Sequence, residues 1–334
     1  MAAAFSSVTA QAKTENIEVY GQMAVSAYSL SPEKGDATTG LENESRIGFR
    51  GSKDLERGPE LFWQIEGGNV GGGSGANDGK LGFRDTFGGF RGGFGAVRFG
   101  RMLTPLYEIV DWPYSNPGLG NVFDWGYGIS GGAYYDRQSD QVRWDSPDMS
   151  GFRVNLSTGK GNVSDDDSMF FGGAAHYAKG PVTAHLGVEK DMARQFTGKE
   201  LTTEQDVTTE FDSLAMIAGV ELSYKGFGLS GAYKTQKAEY DNENTVAGGE
   251  QSVDSFSVIA QYSGVENVIF KVGFAANSEV EQDGKDLNDT ADNVISGQVL
   301  YFLDPTAVTY LRVKQMELNA TDYTEVRLGV EYGF

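Results

Sequence analysis

An alternation of apolar and polar residues with a period of two recurs along this chain from Glu15 onward, with turn chemistry between the runs. Val326, Leu328, Val330, Tyr332 and Phe334 alternate with Glu325, Arg327, Gly329, Glu331 and Gly333. Successive side chains of a strand point to opposite faces, so this run has one apolar face and one of charge and glycine. Leu61, Trp63 and Ile65 against Phe62, Gln64 and Glu66 repeat it, as do Leu214, Met216, Ala218, Val220, Leu222 and Tyr224. Phe256, Val258, Ala260 and Tyr262 follow the same rule, then Val268, Phe270, Val272 and Phe274. A helix would need apolar spacings of three and four, and no such run persists.

Sixteen runs are predicted, near 15–30, 41–52, 59–69, 79–90, 94–102, 137–147, 151–159, 167–178, 181–190, 208–224, 226–238, 251–263, 266–278, 290–302, 306–317 and 323–334. A ring of that many strands is too wide for side chains to fill and leaves a watery interior. The apolar face must then look outward into lipid, and closure pairs every backbone group. The connections alternate in length as such a barrel requires. Asp148-Met149-Ser150, Lys179-Gly180, Lys225-Gly226, Gly264-Val265 and Asp304-Pro305 are short, whereas 68–78, 190–206, 238–250 and 277–289 are long. The expected fold is therefore all-β, a 16-stranded antiparallel transmembrane barrel. Only 39% of the residues are hydrophobic, and no stretch approaches the ~18 apolar residues of a spanning helix. A formal net charge of −20 argues against a nucleic-acid partner, since nothing would neutralise phosphates.

Two segments break the pattern. Residues 1–12 are small and apolar and end in Ala10-Gln11-Ala12, a signal-peptidase pattern without the basic leader. They read as a signal-peptide remnant or a tail without meaning, leaving 13–334 as one barrel domain that starts at Lys13. Between Met102 and Asp136 lies a connection without alternation, holding Pro105, Pro113 and Pro117. Long loops of this kind are usually functional, and this one is expected to fold into the lumen.

Several short motifs occur in a consistent order: Val19-Tyr20-Gly21, Arg46-Ile47-Gly48-Phe49-Arg50-Gly51, Phe99-Gly100-Arg101 and then Tyr107-Glu108. Arg143-Trp144-Asp145-Ser146-Pro147 and the terminal Tyr332-Gly333-Phe334 complete the set. In these features the chain resembles the general, trimeric, sixteen-stranded porins of the Gram-negative outer membrane. The resemblance implies a homotrimer set in outer-membrane lipid and lipopolysaccharide. It implies passive diffusion of small hydrophilic solutes, without catalysis or cofactor. It also implies that the third loop narrows the pore, its acids facing a basic wall. Arg46, Arg84 and Arg137 fall at the wall positions, Arg101 at the root of the loop, and Gln22 where some members carry lysine. Glu108, Asp111 and Asp124 are the acidic loop candidates. The chain departs from its enteric relatives at the loop tip, which reads Pro113-Tyr114-Ser115-Asn116-Pro117-Gly118-Leu119-Gly120 in place of their proline-glutamate-phenylalanine-glycine-glycine.

Opposed rows of fixed charge across a narrow aqueous gap order water and favour dipolar solutes. Parity places Arg46 and Arg50 on the lumen side with Gly48, and Arg312 and Lys314 likewise. Arg98 and Arg101 cannot both face inward under strict alternation, so a bulge is expected between them. The acidic excess predicts weak cation preference. Trp112, Trp125, Tyr107, Tyr114 and Tyr127 crowd the long loop and either stack on sugars or pack the loop against the wall. Trp63, Tyr224, Tyr262, Tyr301 and Phe334 fit an interfacial girdle.

Three other patterns have bland readings that outweigh the sharp ones. Gly128-Ile129-Ser130-Gly131-Gly132 matches a nucleophile elbow but lacks its strand-to-helix setting. His176 and His185 sit on adjacent strands, as solvated lumen residues rather than a metal or acid–base pair. Asp165-Asp166-Asp167 is a charge run in an outer loop, a weak cation-site candidate without EF-hand spacing. The alternatives to a general porin are an oligosaccharide-specific channel of the same fold, an outer-membrane enzyme, and an adhesin or receptor barrel.

Overall fold

Strands form along all sixteen predicted runs, and neighbours pair antiparallel. The computed structural model describes residues 17–68, 79–126, 128–132, 136–163, 167–199, 205–241 and 248–334. The first strands are β1 (Ile17–Pro32), β2 (Thr38–Asn43), β3 (Arg46–Lys53), β4 (Glu60–Gly67), β5 (Thr86–Gly92) and β6 (Gly95–Leu103). Two short helices follow, α1 (Pro105–Asp111) and α2 (Gly120–Phe123). Next come β7 (Arg137–Asp145), β8 (Phe152–Gly159), β9 (Met169–Lys179), β10 (Val182–Lys199), β11 (Asp206–Tyr224), β12 (Phe227–Tyr240) and β13 (Gly249–Val265). The chain finishes with β14 (Val268–Asn277), β15 (Val280–Gln282), β16 (Lys285–Leu287), β17 (Asn293–Asp304), β18 (Ala307–Leu318) and β19 (Thr321–Gly333).

Both β2 and β3 pair with β1, the first from Leu30↔Thr38 to Val25↔Asn43 and the second from Gln22↔Arg46 to Ile17↔Gly51. They are one stave bent at Glu44-Ser45, where the Ser45 hydroxyl accepts from the Ala24 N–H at 3.0 Å in place of a ladder bond. The pair β15 and β16 is a small hairpin turning on Asp283-Gly284, both at positive φ (50° and 74°) as a tight two-residue turn requires. Apart from that hairpin the described residues form 16 staves. The ring closes where β1 pairs with β19, from Gln22↔Gly333 to Pro32↔Tyr323.

The two faces differ as a barrel in lipid requires. On β11, Met216, Val220 and Leu222 are 44%, 41% and 43% exposed, while Ala215 and Ile217 on the other face are 1% and 3% exposed. A soluble sheet would show the reverse. The main core lies on the second, polar face. There Leu106, Ile109, Tyr114, Leu119 and Phe123 pack against strand residues such as Ala174, Ile217, Ile259 and Val294.

The expected bulge is present: the β6–β7 register shifts between Gly100 and Met102, with Gly100 at φ 134°. Two boundaries differ from expectation. The run at 79–90 becomes strand only from Thr86, and the turns before it carry Arg84. The supposed long loop at 190–206 is largely strand, since β10 and β11 stay paired to Lys199↔Asp206. Alternation continues there in Phe196, Thr197, Thr208 and Thr209, and cross-strand threonines stabilise such ladders. Residues 1–12 and the predicted start at Lys13 lie outside the described residues.

Candidate functional site

The long connection leaves β6 and turns at once into α1. Thr104 caps the helix, its hydroxyl accepting from the Tyr107 N–H at 3.3 Å, and Pro105 supplies the first turn. Leu106, Ile109 and Val110 are buried on one side of this helix. Each is worth about 1.5–3 kcal/mol in buried apolar surface. Glycines on the wall make room for the segment. The Ile109 side chain lies against Gly187, the Tyr114 ring fills the space a side chain at Gly219 would take, and Leu119 does the same at Gly273.

Polar side chains of the wall then tie the segment down. Lys271 donates to Asn116 Oδ1 at 2.8 Å and Lys314 to Asn121 Oδ1 at 2.7 Å. Lys234 donates to the carbonyl of Phe123, and Asn277 to that of Val122 at 3.0 Å. Of the aromatics, Tyr107 and Tyr114 are buried, whereas Trp112 and Trp125 are 61% and 70% exposed. Tyr127 lies outside the described residues.

The acidic loop candidates have distinct settings. Glu108 accepts from Arg143 at 2.6 Å, and Arg143 also donates to Asp145 at 2.8 Å and to the Leu103 carbonyl at 3.0 Å. Asp124 accepts from the Tyr107 hydroxyl at 3.1 Å. Burial pushes the Asp124 carboxyl above the usual range, against the pull of the Lys234 ammonium. Burial, with Asp124, Asp111 and Asp136 nearby, keeps the Tyr107 phenol protonated. Asp111 ends α1 and is exposed.

The basic candidates gather around carboxylates of the wall and its adjoining turns. Arg84 pairs with Glu66, which also accepts from Tyr20 at 2.7 Å, and Arg137 pairs with Asp85. Arg46 stands within electrostatic reach of Arg84, Arg137 and Glu66. Arg101 donates to the Phe83 carbonyl and to Asn162 Oδ1, both at 2.6 Å. Gln22 donates to Glu331 at 2.9 Å. Asp136 joins the groups, since it acts electrostatically on both Arg101 and Asp124.

Sequence reasoning passed over Glu66, Asp85, Arg143, Lys234 and Lys271. Parity was the available signal for the strand residues among them: Glu66 opposes Ile65, Arg143 opposes Val142 and Trp144, and Lys271 opposes Phe270 and Val272. His176 and His185 do meet, ring nitrogens 2.7 Å apart, with Asn155 and Glu221 on their far sides. Ser130 lies beside Ile129, which is buried with Phe211, Tyr240 and Val253 rather than set at an elbow. Asp165 and Asp166 lie outside the described residues and Asp167 is exposed. Among the described residues no group of three or more His, Cys, Asp or Glu is arranged to hold a metal ion.

The sequence pattern described as Gram-negative porin matches residues 1–333. The chain belongs to the Gram-negative porin family. This porin is 39% identical over 347 aligned positions to the chitoporin of Vibrio furnissii, covering 96% of the chain and 91% of that relative. It is 27% identical to the major outer membrane protein P.IB of Neisseria gonorrhoeae, over 76% of the chain and 72% of the relative. Among solved structures the porin superposes on the anion-selective porin from Comamonas acidovorans with a TM-score of 0.72 at 19% identity, covering 95% of this chain and 99% of that one. With OmpT of Vibrio cholerae in its trimer form the TM-score is 0.73 at 16% identity, again over 95% and 99%. At those identities the superpositions establish the shared barrel.

Proposed function

We propose that this porin is a water-filled outer-membrane channel for small hydrophilic solutes, with oligosaccharides among its substrates. In this reading the polar face lines the lumen. Segment 105–126 is then the constriction, set between its own acids (Glu108, Asp111, Asp124) and the basic cluster of Arg46, Arg84, Arg101 and Arg137, with Gln22 beside it. Fixed charges of both signs across a narrow gap favour polar solutes over apolar ones.

One observation carries the sugar reading. Trp112 and Trp125 stand exposed on a segment whose other apolar side chains are buried. Exposed indole rings beside fixed polar groups suit a ligand with apolar C–H faces and a polar rim, as a pyranose has. The 39% identity to a protein named chitoporin agrees. A homotrimer is part of the proposal, consistent with the trimer form of one barrel of the same fold. So are export by a signal peptide ending near Ala12, a surround of outer-membrane lipid and lipopolysaccharide, and weak cation preference from the −20 charge.

Planar-bilayer recording of the purified protein under a salt gradient, with chitohexaose then added, tests the proposal. Stable openings in steps of three, a reversal potential of cationic sign and saturable block by the sugar are expected. Openings without block would leave a general porin. Silence from a folded barrel would mean a plugged lumen and overturn the channel itself.

A further inference from the structure

Phe170, Phe211 and Tyr240 on the polar face of β9, β11 and β12 are buried, whereas two phenylalanines on that face of β4 and β5 are partly exposed. Phe62 and Phe87 share the face of Gln64 and Glu66, opposite the apolar Leu61, Trp63 and Ile65. Their rings meet edge to face with centroids 5.8 Å apart. Gly89, the partner of Phe62 across the ladder, has no side chain, and the Phe62 ring lies over that gap. Phe62 stands near the short connection that joins β3 to β4, and Phe87, level with Gln64, stands further in, both on the short-turn side of Glu66.

Guanidinium groups hold the rings in place. Arg91 sits 5.1 Å from the Phe62 centroid and Arg98 5.2 Å from that of Phe87. Each is clamped by a carboxylate. Arg91 donates to Glu60 at 2.6 and 2.7 Å, and Arg98 to Asp145 at 3.0 and 2.5 Å. Beside them Arg50 donates to Glu18 at 2.7 and 2.6 Å. A cavity of about 580 Å³ opens over this surface, bordered by Phe62, Phe87, Gln64, Arg50, Arg91 and Glu18.

We infer that this cavity is a second sugar subsite, which takes a neutral pyranose ring of an oligosaccharide on the short-turn side of the constriction. The inference rests on the sugar-channel reading above and adds a place of binding to it. The chemistry selects the ligand class in two steps. Three guanidiniums are matched by three carboxylates, so this group of side chains carries no net charge with which to collect an ion. What it offers is an aromatic surface ringed by oriented donors and acceptors, complementary to a solute with apolar C–H faces and peripheral hydroxyls. The subsite is also wired to the constriction. Asp145 accepts from both Arg98 and Arg143, and Arg143 donates to Glu108 of α1.

The test uses the intact porin in single-channel recordings, with chitohexaose added to one side at a time. In Phe62→Ala and Phe87→Ala the residence time of sugar entering from the short-turn side should fall by about fivefold, the loss of one aromatic contact. Phe62→Leu keeps the apolar bulk without the ring and should show the same loss, while unchanged conductance reports an intact barrel. Equal residence times in the parent and all three variants would overturn the subsite and leave the sugar channel standing. Absence of block in the parent from either side would overturn both.

Discussion

The wall that carries segment 105–126 and the wall from β1 to β7 obey the same alternation, yet their polar faces are built for opposite tasks. On β10, β11 and β14 those positions include Gly187, Gly219, Ile217 and Gly273, sockets and apolar surface against which Ile109, Tyr114 and Leu119 pack. Lysines at their margins end on the segment's side-chain and backbone oxygens. On β3 to β6 the same face carries Arg46, Arg50, Arg91 and Arg98, several of them paired with carboxylates that also lie on strands, whereas Arg143 on β7 is buried and ties Glu108 of α1. One wall therefore holds protein, and the other presents organised charge. A polar face in a large barrel is thus not defined by polarity alone. Where it must hold a loop, it becomes small and apolar again.

The comparison breaks first where the docking wall loses packing. Leu119→Ala removes a fully buried side chain at Gly273 and should weaken docking of the segment by about 2–5 kcal/mol. Open-channel current noise and proteolysis within 105–126 should both rise; a silent, protease-resistant variant would show that the segment is held by its lysine contacts alone. A smaller effect is expected from Gly219→Val. A Cβ there would overlap the Tyr114 ring, and overpacking of this kind costs about 1–3 kcal/mol. Its signature is a changed mean conductance with the barrel intact, and parental conductance would mean that Tyr114 has another resting place. The smallest effect belongs to the charged wall. Arg84→Gln leaves Glu66 with the Tyr20 hydroxyl and should shift the reversal potential toward cations without adding noise. Added noise there would mean that the two walls are mechanically coupled and do not divide the labour.

Much of the barrel was legible because period two is a local property and each strand repeats it. The bulge at Gly100 was legible for the same reason, since Arg98 and Arg101 break parity. The helix at 105–111 was not, because seven residues offer too little periodicity and its sockets lie on strands far along the chain. Extension of β10 to Lys199 was not legible, because the register shift between Asp191 and Arg194 breaks the alternation just past Lys190. Among the site residues, the positions of Arg46, Arg84, Arg101 and Arg137 came from resemblance. Their partners Glu66 and Asp85 did not, because pairing depends on a register that no single strand encodes.

Closure of β1 on β19 bears on how such a chain comes into being. Gln22 and Glu331, hydrogen-bonded across the seam, are separated by 309 residues. Contacts of that separation are slow to form, because the entropy of closing the loop is lost before the contact repays it. Until the seam zips, the nascent sheet has two bare edges and a lipid-seeking face in water, the combination most inviting to strand exchange with a neighbouring copy. For this molecule the hazard lies in the journey rather than the destination. Whatever escorts the chain to its membrane has to shield a ribbon, while the membrane receives a ring.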